Sequence, residues 1–176
     1  MRSPSSRLSG RTAVYAGSFD PPTSGHVWMI RSGSDLFDRL VVAVGTHPEK
    51  QGVFTVEERL RLLRASLRGL RNVTVDRFEN RFLVDFARSV GARYILRGIR
   101  NPADLEYERA MRQINADLAP EIATVFLMPP RELAEVSSSF VRGFAALEGW
   151  PKVVRRFLPA PVYREFLKRS HGRTPR

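Results

Sequence analysis

Five short apolar runs alternate with segments of helical period, and that alternation leaves the chain little choice of architecture. The runs are Thr12–Ala16, Leu40–Gly45, Val73–Arg77, Tyr94–Leu96 and Thr124–Met128, largely β-branched or aromatic. Short and in good part β-branched or aromatic, they read as parallel strands of a buried sheet. The clearest helix opens at Thr55-Val-Glu-Glu58, a capping box, and carries Leu60, Leu63 and Leu67 on one stripe. Val27–Ile30, Phe82–Val90 and Leu105–Leu118 supply helical patterns for the other intervals. Strand–helix alternation at this spacing predicts an α/β fold, a single doubly wound parallel sheet of five strands with right-handed crossovers.

After Met128 the alternation stops. Val136–Leu147 reads as a helix with Phe140, Phe144 and Leu147 on one face. Pro151, Pro159 and Pro161 divide the remaining residues, leaving Val153–Leu158 and Val162–Lys168 as short C-terminal helices. No internal repeat, low-complexity tract or linker interrupts the chain. The expectation is one domain over 12–168, with disordered tails at 1–11, basic and Ser-rich, and at 169–176.

A chain of 176 residues suits one hydrophobic core. The absence of cysteine excludes disulfides, a thiolate nucleophile and a Cys-based metal centre. No apolar stretch approaches the ~18 residues that span a bilayer, so the expectation is a cytoplasmic protein with no membrane partner. A formal net charge of +11 raises nucleic-acid binding. Yet the arginines are scattered, at Arg31, Arg39, Arg61, Arg81, Arg93 and Arg112 for example, with no basic block or aromatic-interleaved motif. No specific nucleic-acid partner is therefore predicted. Lysine occurs only at Lys50, Lys152 and Lys168, which makes Lys50, in a loop after the second strand, stand out.

The chemistry concentrates in Ala16-Gly-Ser-Phe-Asp-Pro-Pro-Thr-Ser-Gly-His26. A glycine, two prolines and a second glycine turn the chain between a strand and a helix. The turn delivers His26 into the first helical turn, beside free N–H groups and the positive end of the helix dipole, where an anion such as phosphate is stabilised. A capping or space-filling histidine is the alternative. In an open parallel sheet, ligands bind beyond the carboxyl ends of the strands. Four polar segments fall there: Gly17–His26, Thr46–Lys50, Arg97–Arg100 and Pro129–Ser139. Arg97 and Arg100 make a fork suited to phosphate oxygens, or else a solvated turn. Ser137, Ser138 and Ser139 offer three hydroxyls to a triphosphate, or else cap a helix. Glu108 sits in the acidic run Asp104–Glu108, whose default is a solvated helix face. His47 and His171, with no motif around them, read as surface residues.

Thr23-Ser-Gly-His26 resembles the Thr-x-Gly-His motif of nucleotidyltransferases, which move a nucleotidyl group from a nucleoside triphosphate to an acceptor and release pyrophosphate. The match narrows with Lys50 followed by Phe54-Thr-x-Glu-Glu-Arg59, with Arg97-Gly-Ile-Arg-Asn-x-x-Asp-x-Glu-Tyr-Glu108, and with Phe126-Leu-Met-Pro129 and Val136-Ser-Ser-Ser139. From about Thr12 to about Leu167 the chain is similar to the bacterial phosphopantetheine adenylyltransferases.

That resemblance implies a Rossmann-like nucleotidyltransferase fold and adenylyl transfer from ATP to 4′-phosphopantetheine, giving dephospho-coenzyme A. It implies an acceptor site of Ser18, Lys50, Leu83 and Arg97. It implies an ATP site of Ser18, Phe19, His26, Gly98, Ile99, Arg100 and Glu108, with the segment Leu133, Ala134, Glu135, Val136, Ser137, Ser138 and Ser139. His26, Lys50 and Arg97 would carry catalysis. It also implies magnesium with the nucleotide, a homohexamer and feedback inhibition by coenzyme A. Three positions depart from the family pattern. Ser18 stands where the family usually has Thr, Leu133 replaces a common aromatic, and Glu79–Leu83 lacks the usual Gly-Leu-rich stretch.

The residues suit this chemistry on their own terms. A phosphate monoester is already a competent nucleophile, so neither an activated Ser or Cys nor a general base is needed. Catalysis reduces to aligning two phosphates and stabilising charge on the α-phosphoryl oxygens. Sister enzymes acting on nicotinamide mononucleotide or a glycerol phosphate would share the first motif but would not need Lys50 or the Arg97–Glu108 run.

Overall fold

A computed structural model describes residues 10–46, 52–144 and 147–171. Its centre is a five-stranded, all-parallel sheet of β1 (Thr12–Gly17), β2 (Arg39–Thr46), β3 (Val73–Glu79), β4 (Tyr94–Gly98) and β5 (Ala123–Leu127), ordered β3-β2-β1-β4-β5. All five expected strands are present, with ends shifted by two residues or fewer. The chain builds outward from β1 to β3, then returns to lay β4 beside β1. The crevice between the carboxyl ends of β1 and β4 is therefore the topological switch point, where doubly wound sheets bind ligands.

Alternation along the strands fills two faces. Ala13, Tyr15, Leu40, Val42, Val44 and Leu96 pack with α1 (Ser24–Leu36) and α2 (Val56–Ser66). Val14, Ala16, Val41, Ala43 and Ile95 pack with α3 (Leu83–Ser89) and with Ala119 and Ile122, just past α4 (Pro102–Leu118). The Thr55 capping box forms as expected, Thr55 Oγ1 accepting the Glu58 N–H at 3.3 Å and Glu58 Oε2 accepting the Thr55 N–H at 2.8 Å. Helix α2 is shared between two cores. Leu60 and Leu63 face the sheet, while Leu62 joins a third cluster with Phe54, Val141, Trp150, Val154, Val162 and Phe166.

The C-terminal third differs from expectation in three places. The helix expected over Val136–Leu147 is present as the shorter α6 (Ser138–Phe144), and a short helix that was not expected, α5 (Arg131–Ala134), precedes it. Helix α6 starts where Ser137 Oγ accepts the Phe140 N–H at 3.0 Å. Val153–Leu158 is replaced by α7 (Trp150–Val154) and a 3₁₀ turn, Arg155–Phe157. Helix α8 spans Ala160–His171, because Pro161 falls in its first turn, where a missing N–H costs nothing.

Residues 1–9 lie outside the described residues, but Arg11 is anchored, its N–H donating to Asp38 Oδ2 at 2.6 Å and its carbonyl accepting the Asp38 and Arg39 N–H groups. Arg169 lies inside α8, bonded to Glu58 and to the Val53 carbonyl. No helix among the described residues is long and apolar enough to cross a membrane.

Candidate active site

Helix α1 begins at an N-cap that ties down the histidine. Thr23 Oγ1 accepts the His26 N–H at 3.3 Å, and His26 Nδ1 accepts the Thr23 N–H at 3.0 Å. This is a capping box in which an imidazole takes the place of the usual Glu or Gln. With Nδ1 committed as an acceptor, the proton of the neutral ring sits on Nε2. Burial, helped by the positive charge of Arg100, lowers the His26 pKa to about 4. His26 is thus a neutral N–H donor at neutral pH, in the wall of the crevice.

The turn before it is clamped from several directions. Asp20, buried, accepts the N–H groups of Val53 and Phe54, both at 2.8 Å. Arg59 pairs with Asp20 at 3.5 Å and donates to the Phe54 and Ser18 carbonyls. From the far end of the chain, Ser138 Oγ donates to the Pro21 carbonyl at 2.8 Å, and Arg142 donates to the Asp20 carbonyl. Phe19 takes φ 49° and buries its ring edge-on to Tyr15 and His26, with centroids 5.6 and 5.0 Å away. Left-handed backbone at a bulky residue is costly and persists only where its surroundings enforce it. Here they hold Ser18 at the crevice.

The end of β4 supplies the cations. Arg97 Nε donates to Glu108 Oε2 at 2.7 Å, Nη2 donates to Oε1, and Nη1 reaches the Ala16 carbonyl at 3.2 Å. Burial opposes the charge of Arg97, but hydrogen bonding and attraction from Glu108 outweigh it and raise the pKa above its ordinary value. Arg100 makes a fork with Asp104, at 2.8 Å from Nε and 3.2 Å from Nη2, which holds the Asp104 carboxyl below its usual range. Burial pushes Tyr15 up to about 12, so the phenol keeps its proton beside these arginines.

The opposite wall is the α5–α6 segment, packed against the start of α1. A Cβ on Gly25 would lie 3.2 Å from the Val136 carbonyl, so glycine is what allows this approach. Each serine has an internal partner: Ser137 caps α6, Ser138 holds Pro21, and Ser139 Oγ accepts from Arg142 at 3.0 Å. The capping reading of this run is therefore real, and all three serines still line the crevice.

The crevice has a volume of about 310 Å³. It brings together Ser18, His26, Arg97, Gly98, Arg100, Glu108, Leu133, Val136, Ser137, Ser138 and Ser139. Other expected residues sit elsewhere. Phe19 is wholly buried beneath the wall, and Ile99 is buried with its N–H spent on the Leu127 carbonyl. Ala134 and Glu135 close α5 without lining the crevice. Leu83 opens α3 and packs against the core of the other sheet face. Lys50 and His47 lie outside the described residues. Sequence reasoning missed Asp20, Arg59, Asp104, Tyr15 and Arg142 as parts of the site. The first three lay inside quoted motifs and Tyr15 lay within the first strand, whereas Arg142 carried no signal among so many arginines.

The chain is similar in sequence and fold to known proteins. The cytidylyltransferase-like family matches residues 14–144. A phosphopantetheine adenylyltransferase of Chromobacterium violaceum is 58% identical over 157 residues, covering 89% of this chain and 96% of that one. One from Neisseria meningitidis serogroup B is 57% identical, covering 89% and 92%. One from Lacticaseibacillus casei is 44% identical, covering 88% and 91%. Among solved structures, a nicotinic acid mononucleotide adenylyltransferase of Plasmodium falciparum, complexed with NaAD, superposes with a TM-score of 0.67 over 90% of this chain and 95% of that one. At 15% identity that likeness speaks for the fold alone. With a switch-point crevice walled by the Thr-x-Gly-His turn, the Arg97–Glu108 run and the late serines, and with such identity over nearly its whole length, the chain belongs to the phosphopantetheine adenylyltransferase family.

Proposed function

We propose that the protein transfers the adenylyl group of ATP to the phosphate of 4′-phosphopantetheine, giving dephospho-coenzyme A and pyrophosphate. One observation carries the chemistry: a neutral Nε2–H donor on His26 and the guanidiniums of Arg97 and Arg100 converge on one crevice. An acceptor phosphate oxygen attacks the α-phosphorus, and the bond to the β-phosphate bridging oxygen breaks. Pyrophosphate leaves with that electron pair. No proton has to be removed from the nucleophile, which fits a site built of donors.

His26 faces charge that grows on the α-phosphoryl oxygens and, being neutral, binds the ground state weakly. Arg97, Lys50 and the Ser18 hydroxyl serve the acceptor phosphate. Arg100, Gly98 and the Leu133–Ser139 wall serve the nucleotide. The cations also offset repulsion between two anionic reactants.

Magnesium belongs to this reading as part of the nucleotide substrate. Among the described residues no three His, Cys, Asp or Glu side chains cluster to hold a metal, and Asp104 and Glu108 are each turned to an arginine. Magnesium commonly stays with substrate phosphates and its own waters. Coenzyme A, which carries both pantetheine and an adenine nucleotide, would occupy the same crevice as a feedback inhibitor.

A homohexamer in the cytoplasm completes the proposal. Assembly is supported by α4, where only Glu108 is buried while Leu105, Tyr107, Ile114 and Leu118 are exposed, as are Phe126 and Met128. Apolar surface of this kind marks an interface.

The test of function is pyrophosphate release from ATP with 4′-phosphopantetheine, nicotinamide mononucleotide and glycerol phosphate offered in turn. Turnover with phosphopantetheine well above the others is expected. Faster adenylation of nicotinamide mononucleotide would overturn the assignment.

A further inference from the structure

Tyr15 carries a hydroxyl that the protein itself does not use. The side chain packs with Met29 and Ile30 on the α1 face of the sheet, its ring edge-on to Phe19. Only 7% of the residue is exposed, and it lines the crevice. Among the described residues no donor or acceptor bonds its oxygen. A buried tyrosine hydroxyl ordinarily finds a partner, because leaving it unpaired forfeits the hydration it had in water. Nor is this oxygen sealed in apolar packing. Among the described residues Arg169 Nε is the one fully enclosed side-chain nitrogen or oxygen without a partner, so the Tyr15 hydroxyl meets the open space of the crevice.

The surroundings fix what it would meet there. Register sets Tyr15 opposite Leu96, the residue before Arg97, at the seam of β1 and β4. After burial itself, Arg97 and Arg100 are the strongest influences on the phenol, which still keeps its proton at neutral pH. It is therefore an O–H donor beside two guanidiniums, in a site that already holds the His26 Nε2–H. We propose that Tyr15 contacts substrate, its hydroxyl donating a hydrogen bond to a phosphoryl oxygen held between Arg97 and Arg100. The choice of a phosphate rests on the proposed reaction, whereas the unpaired hydroxyl in the crevice does not. A neutral donor on a buried ring adds direction without adding charge, which suits recognition in a pocket with few placed polar groups.

The test compares the full-length chain as wild type and as Tyr15→Phe, which removes the oxygen and keeps the ring. Because no protein group bonds that oxygen, the variant should melt no lower than wild type. A lower Tm would reveal a structural partner for the hydroxyl and overturn the proposal. Calorimetry then measures a non-hydrolysable ATP analogue, adenosine, phosphopantetheine and pantetheine. The Kd of one of the two phosphate-bearing ligands should rise about tenfold, the loss expected for a hydrogen bond to a charged acceptor. Adenosine and pantetheine should keep their wild-type affinities, and kcat/KM should fall by the same factor as the phosphate ligand. A rise for the analogue assigns the bond to the nucleotide, and a rise for phosphopantetheine assigns it to the acceptor. Affinities and kcat/KM all within about twofold of wild type would overturn the proposal, since the hydroxyl would then face solvent alone. An equal loss for adenosine or pantetheine would overturn it too, because the contact would not be to a phosphate. If the wild type does not adenylate phosphopantetheine, the proposed reaction falls by itself. The comparison of the ATP analogue with adenosine still tests Tyr15, because neither ligand depends on the acceptor.

Discussion

At the scale of single residues, His26 is the sharpest case of local structure setting chemistry. Its Nδ1 is consumed by the Thr23 N–H, so the cap itself selects the tautomer that presents Nε2–H. His26→Ala should therefore lower kcat on the order of 10²–10³ while leaving ATP affinity nearly unchanged, since the donor meets charge that develops only in the transition state. An unchanged kcat with a raised KM for ATP would make it a simple binding residue. The depressed pKa can be read directly in the free enzyme. Imidazole NMR should find His26 neutral at pH 6, titrating near 4 with its proton on Nε2. A resonance titrating near 6.5 that vanishes in His26→Ala would refute this. The same shift sets the sign of the effect on stability. Between the ordinary value of 6.5 and about 4 the unfolded chain binds the proton and the folded chain does not. His26 thus destabilises the fold as pH falls through that window and is without effect above it. His26→Ala should flatten that part of the stability profile.

Between elements, the site depends on long-range ties to the turn after β1. Asp20 binds the backbone of Val53 and Phe54, and Arg59 reaches back to Ser18, so the turn and the start of α2 form one block. Asp20→Asn replaces an acceptor-only carboxylate with a group whose amide faces donors. A loss of about 3–5 kcal/mol is expected for breaking such a buried pair, seen in a denaturant melt, with activity falling alongside. A loss under 1 kcal/mol would mean that the block does not depend on this carboxylate. The last turn of α8 belongs to the same block. Arg169 bonds Glu58 and the Val53 carbonyl and stacks over Phe54 at 4.5 Å. Arg169→Ala should lower stability by about 1 kcal/mol, roughly 2–4 °C in Tm for a chain of this size, because the side chain is partly solvated. A melt identical to wild type would return Arg169 to a loose tail. These ties also mark where sequence reading stops. The five strands and the Thr55 capping box were legible because periodicity and capping are local. The tie that holds the start of α6 was not, since Ser138 is committed to a carbonyl 117 positions away. Arg97 and Glu108 were both singled out, but as ligands of different substrates. Their pairing depends on α4 laying Glu108 against the end of β4, which no spacing rule reports. Asp20 was missed for the same reason: it lay inside a motif while its partners Val53, Phe54 and Arg59 could be seen only in three dimensions. Asp104 was missed although its partner Arg100 stands four residues away in the same run.

On the scale of the whole molecule, the net charge of +11 is the property that the proposed reaction does not require. Its distribution speaks against a nucleic-acid surface. Arg11 pairs with Asp38 beside β1, Arg77 with Glu57, Arg88 with Asp85 and Glu121, and Arg61 with Glu165. These pairs lie on different elements, so several of the arginines are matched locally. The cations that do converge stand in the crevice, where Glu108 and Asp104 engage two of them. Binding to nucleic acid should then be only the sum of weak contacts, each releasing counterions and each lost as salt rises. At physiological ionic strength the screening length is about 8 Å, so exposed charges farther apart than that are largely screened from one another. Fluorescence anisotropy with short duplex and single-stranded probes over a salt series measures this. Weak binding at low salt, equal for all sequences and gone near ~0.15 M, is the expected result. Binding that survives that salt and discriminates between sequences would require a contiguous basic surface and a second function. Competition by ATP would then separate a site in the crevice from one elsewhere, because only the former shares its arginines with the nucleotide.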